Sequence, residues 1–128
     1  MSYYLNKVLA TSFDEAVNRA IDSLKKEGFG VLTEIDVSAT LKKKLNVDFP
    51  NYRILGACNP ALALEALKLE NKVGTMLPCN VVVRDAGNGQ IEVAAIDPVA
   101  SMQAIDNPAL KQAATQVRAK LEKVIANL

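Results

Sequence analysis

With 128 residues, half of them apolar and 23% charged, the chain suits a single domain over residues 1–128 whose core needs no disulfide or metal as a staple. Its formal charge of +1 argues against a nucleic-acid partner, because displacing counterions from phosphates takes a surplus of Lys and Arg. Histidine is absent, which removes the Ser-His and Cys-His nucleophile pairs and the usual zinc and iron ligand sets.

Tyr3 to Leu9 alternates and predicts a first strand. Ser12 then stands three residues before Glu15, the spacing of a capping box. Phe13, Val17, Ala20, Ile21 and Leu24 recur at helical spacing, Lys25 and Lys26 close the last turn, and Gly28 is a natural stop. From Phe29 to Val37 the period becomes two, with Phe29, Val31, Thr33, Ile35 and Val37 expected on one face. Gly30, Leu32, Glu34 and Asp36 are expected on the other, joined by Arg53 from the next strand. A solvated face is the plain reading of that group; a ligand site or a subunit-pairing surface are the alternatives. Ser38 is expected to cap a short helix through Leu41 and Leu45, with Lys42-Lys43-Lys44 on its wet side, and Asp48-Phe49-Pro50-Asn51 ends it.

Tyr52 to Cys58 predicts the third strand, and Asn59-Pro60 joins a strong helix cap to the residue favoured at the first helical position. A helix from Ala61 to Leu69 follows, then a connection from Asn71 to Leu77. Cys79 to Arg84, with Val81-Val82-Val83 unbroken by a polar residue, reads as a central strand. Asp85 to Gly89 is turn chemistry, and Gln90 to Ile96 returns as its hairpin partner. Asp97-Pro98 starts a short helical turn, and Asn107-Pro108 opens the last helix. There Leu110, Ala114, Val117, Leu121, Val124 and Leu128 form one stripe. The order predicts an α+β sandwich: one mixed or antiparallel sheet of about five strands, with helices mainly on one face.

No stretch approaches the roughly 20 apolar residues of a membrane span, and the first residues lack the regions of a signal peptide. The expected setting is therefore the cytoplasm, without a membrane partner and with both cysteines as thiols. No cofactor is expected, and no metal set is complete: two thiols need further ligands, which only Asp or Glu would supply.

The residues with most chemical content are Cys58-Asn59-Pro60 and Pro78-Cys79-Asn80. Cys58 ends a strand immediately before a helix start, where free amides and the helix dipole favour a thiolate if the sulfur points that way. If the two cysteine strands are antiparallel neighbours, the end of one meets the start of the other and the sulfurs approach. Three readings stay open: small apolar core filler, a shared ligand or reactive-thiol site, and a metal or redox pair. A separation of 21 residues matches no standard redox motif. Gly28-Phe29-Gly30 lacks the third glycine of a dinucleotide fingerprint and precedes a strand. Asp97 reads first as a helix cap and second as an acid.

Taken in order, Gly28 to Val37, Tyr52 to Pro60, Leu77 to Val83 and Ile96-Asp97-Pro98 resemble the successive motifs of domain-of-unknown-function family 302. The resemblance covers nearly the whole chain. It implies a compact α/β sandwich that forms a homodimer, and it brings no reaction. It also singles out Cys58, Asn59, Cys79, Asn80 and Asp97 as the positions to examine. The leading expectation is a dimeric binding domain with a pocket for a small anionic or thiol ligand near the Cys58-Asn59 helix start. The alternatives are a thiol-dependent enzyme or redox carrier, with Cys58 as nucleophile and Cys79 assisting, and an assembly module in which Leu32 faces a partner subunit.

Overall fold

The alternating segments become five strands in the computed structural model, which describes residues 2–128: β1 (Tyr4–Leu9), β2 (Gly30–Asp36), β3 (Tyr52–Cys58), β4 (Cys79–Gly87) and β5 (Gln90–Ile96). They form one sheet in the order β1-β5-β4-β3-β2, with every neighbouring pair antiparallel. β4 and β5 turn through Asn88 and Gly89, at φ 57° and 75°, the left-handed region that Asn and Gly enter most readily. The helices are α1 (Phe13–Lys26), α2 (Val37–Leu45), α3 (Pro60–Leu69), α4 (Pro98–Ser101) and α5 (Pro108–Ala126), with a 3₁₀ turn at Val73–Met76.

The punctuation works as its chemistry predicts. Ser12, Asn59, Asp97 and Asn107 each accept amide hydrogen bonds at the start of α1, α3, α4 and α5. Each such cap is worth about 1 kcal/mol. At the other end of α1, Gly28 adopts φ 84°. The Gly28 amide donates to Lys25 O and the Phe29 amide to Leu24 O, the paired bonds of a Schellman stop. Phe29 and Leu24 are both buried in the core.

Period-two alternation turns Leu55, Ala57, Val81, Val83, Val93 and Ala95 to one side of the sheet. They meet Ala16, Val17, Ala20 and Leu24 of α1 and Leu121 and Val124 of α5 in the main core. The Ser23 hydroxyl satisfies itself inside by donating to Val124 O at 2.7 Å. Helices thus cover one face, and the other carries the exposed Tyr4, Val8 and Ile35. A smaller cluster of Ala66, Val73, Met102, Leu110 and Ala114 lies beyond the cysteine end of β3. Asn107 ties it together, capping α5 through Leu110 N and donating to Leu69 O at 3.0 Å.

The structure corrects the sequence reading of β2 in two respects. Val31 pairs with Ala57 and Thr33 with Gly56, so Leu32 is the extra residue of a β-bulge. A bulge inserts one residue and exchanges the faces beyond it. Thr33 and Ile35 therefore leave the face of Val31, and Glu34 and Asp36 reach the helix-covered side. There Arg53 pairs with both carboxylates, at 3.0 and 3.6 Å, and its guanidinium lies 5.5 Å from the Phe13 ring centroid. The predicted trio does assemble, but on the opposite face. The second correction concerns the cap of α2, which is Asp36 rather than Ser38: Asp36 Oδ1 accepts from Ala39 N. Ser38 instead bridges Pro50 O and Tyr52 N, because the helix begins two residues earlier than its sequence signal.

Candidate functional site

Between the main core and the smaller cluster the side chains fail to meet, leaving a cavity of about 300 Å³. β3 supplies Ala57 and Cys58, the segment into β4 supplies Leu77, Pro78 and Cys79, and α3 supplies Asn59, Leu62, Ala63, Ala66 and Leu67. Pro98, Met102 and the α5 residues Leu110, Ala113 and Ala114 form the far wall. Alanines at Ala57, Ala63, Ala66, Ala113 and Ala114 create the space, since small side chains from three elements face each other across it. Leu32, thrown outward by the bulge, and Leu67 stand at the rim and remain exposed.

The antiparallel β3–β4 pairing expected from the sequence is present, and its register sets Cys79 opposite Ala57. Cys58 follows one residue later, offset by one position from Cys79, and both residues line the cavity. Both are free, Cys58 half-buried and Cys79 buried. Burial first, and the neighbouring Cys58 second, push the Cys79 thiol up to about 11, so it stays protonated at neutral pH. Gly56 allows this packing. A Cβ there would lie 2.1 Å from Thr33 Oγ1 and 2.8 Å from Pro78 Cγ.

The remaining candidates divide. Asn59 joins the two cysteines at the cavity, but its Oδ1 is occupied as the α3 cap, accepting from Leu62 N at 3.3 Å. Asn80 points the other way, because adjacent strand residues face opposite sides. It lines a groove on the helix-free face with Tyr3, Tyr52 and Arg84. In that groove Arg84 and Asn6 both bind Glu92, at 2.7 Å each. Those hydrogen bonds, Asn6 foremost and Arg84 next, hold the Glu92 carboxyl below its ordinary range. Asp97 is buried behind the cavity wall, where Oδ1 caps α4 and Oδ2 accepts from Arg118 Nε at 2.9 Å. Arg118 also pairs with Glu122, and its hydrogen bond to Asp97 is the main reason its guanidinium holds its proton more tightly than usual. Asp97 therefore positions Pro98 and α4. Sequence reasoning missed the cavity's aliphatic walls, whose only signal was the recurrence of alanine on α3 and α5. Among the described residues no group of three or more Cys, Asp or Glu is placed to hold a metal ion, and no helix is long and apolar enough to cross a membrane.

The profile of the family described as Domain of unknown function DUF302 matches residues 5–128. The chain belongs to the DUF302 family. A solved structure of an uncharacterized conserved protein DUF302 from Bacillus stearothermophilus is similar over its whole length, at 31% identity and a TM-score of 0.92. The match covers 99% of this chain and 98% of that one. No curated protein matches. Family membership and the solved relative establish the DUF302 fold as the one predicted from the motifs, and neither carries an activity.

Proposed function

We propose that this DUF302 domain binds a small ligand with an apolar body in the cavity between β3, α3 and α5. The observation that carries the reading is the wall itself, aliphatic on nearly every side with Asn59 and two thiols as its polar points. Ligand sites combine apolar walls with a few placed polar groups. An anionic headgroup is less favoured as the buried part, because no Lys or Arg lines the cavity and Asn59 already spends its carbonyl on the helix cap. A thiol enzyme that needs Cys79 as a second thiolate beside Cys58 is less favoured, because burial holds Cys79 protonated far above neutral pH. The exposed Tyr4, Val8 and Ile35 of the helix-free face support a homodimer through that face. Val82→Arg, on the same face, then shifts sedimentation to the monomer, and an unchanged value contradicts it. Two free thiols fit a reducing cytoplasm.

Thermal melting with 1-octanol and with octanoate tests the ligand reading. Octanol is expected to raise the melting temperature more than octanoate does, and Ala66→Leu, which fills the cavity, is expected to abolish the response. A larger effect of octanoate would restore the anionic ligand, and no effect of either would sink the proposal.

A further inference from the structure

The cavity's polar points are donors without matching acceptors. Asn59 stands where β3 gives way to α3, with extended backbone at φ −99° and ψ 106°. The helix start tells its two amide atoms apart. Leu62 N needs an acceptor, so the atom 3.3 Å from it is the oxygen Oδ1. The main-chain oxygen of Asn59 is spent as well, accepting from Ala63 N at 2.9 Å. The nitrogen Nδ2 keeps two N–H groups, and among the described residues no acceptor takes either. Nδ2 lies beside Gly28, where a Cβ would come within 3.1 Å of it. The glycine that φ 84° already favours there thus also leaves the amide uncovered. Among the described residues no fully buried side-chain nitrogen or oxygen lacks a partner, so Nδ2 is reachable and not sealed. The rest of the wall offers it nothing in exchange. No carboxylate, hydroxyl, Lys or Arg lines the cavity. Burial keeps the Cys79 thiol protonated at neutral pH, and an S–H is itself a weak donor.

We propose that Asn59 Nδ2 is the specificity-determining donor of the cavity and selects aliphatic ligands that carry an uncharged carbonyl oxygen. A carbonyl accepts the free N–H and brings no proton of its own. An alcohol also accepts, but its O–H finds no side-chain acceptor in the wall and is left unpaired there. A carboxylate would need a cation that the wall does not hold. The inference rests on the apolar-ligand reading and narrows it to a chemical class.

The test is the affinity of the whole chain for 2-hexanone and for 1-hexene, before and after Asn59→Asp. Aspartate caps helices about as well as asparagine, so α3 keeps its start while the donor is replaced by an acceptor oxygen. A melting curve establishes that the variant is folded. Asn59→Asp should weaken 2-hexanone binding by about 10-fold, the scale of one hydrogen bond, and leave 1-hexene within about threefold, since an alkene makes no such bond. In the unaltered chain, 2-hexanone should also shift the Asn59 side-chain amide resonances and 1-hexene should not, which keeps the proposal testable if the variant fails to fold. Equal losses for the two probes, no loss for the ketone, or side-chain amide resonances of Asn59 that 2-hexanone leaves unmoved, overturns the selection while the apolar-ligand reading stands. Binding of neither probe to the unaltered chain overturns both.

Discussion

The two hydrophobic clusters are built from similar residues and end differently. In the main core, α1 and α5 press branched and long side chains onto inward-facing valines of β4 and β5, and Leu24, Leu55, Val81, Val93 and Leu121 are sealed from solvent. In the smaller cluster, alanines of α3 and α5 join Met102, Val73 and Leu110, and the alanines that face one another across the cavity leave its space open. Apolar composition is therefore a poor guide to which end is filled. What decides is whether the small residues of different elements are set against large partners or against one another. The first end supplies stability. The second supplies a concave surface, with the thiols and Asn59 at the junction where β3 hands the chain to α3.

Mutations that probe the two ends should separate by size of effect. The largest is expected from Leu24→Ala, which opens a hole in the sealed end and should cost about 2–5 kcal/mol in denaturant unfolding. Next comes an alkaline transition at the junction. The folded-state pKa of Cys79 lies above its ordinary 9.0, at about 11. Its contribution is therefore complete below pH 9 and is lost as pH rises through 11. Unfolding free energy should fall by up to about 3 kcal/mol over that interval, and the fall should vanish in Cys79→Ala. Gly56→Ala should cost about 1–3 kcal/mol, because Thr33 and Pro78 both have to move to admit the methyl group. Ala66→Leu is the smallest, within about 1.5 kcal/mol of the unaltered chain, since the new side chain enters space already empty. An Ala66→Leu cost as large as that of Leu24→Ala would mean the second end is as tightly packed as the first.

The same contrast explains what could be read from the sequence. Local chemistry was legible wherever it was self-contained: the Ser12 cap (its Glu15 carboxylate pairs with Arg19 instead of closing the box), the Gly28 stop, and the Asn59-Pro60, Asp97-Pro98 and Asn107-Pro108 starts all act where they stand. The antiparallel meeting of the Cys58 and Cys79 segments was legible as a condition, and the register meets it. The β2 bulge was not, because Leu32 fits an unbroken alternation and only pairing with β3 reveals the extra residue. Asn80 was grouped with Cys79 by adjacency, although alternation within the strand already sends the two to opposite faces. The cavity was hidden for a different reason. Ala57, Ala66 and Ala114 are ordinary in their own elements, and their joint consequence exists only once β3, α3 and α5 converge.

The central claim is that the open end, and not the helix-free face of the sheet, receives an apolar ligand. A ¹⁵N-resolved chemical-shift titration with 1-octanol decides between them. The account predicts shifts at Ala57, Cys58, Ala66, Met102 and Ala114, with Val82, Arg84 and Ala94 unmoved. Shifts confined to Val82, Arg84 and Ala94, or no shifts at all, would contradict it.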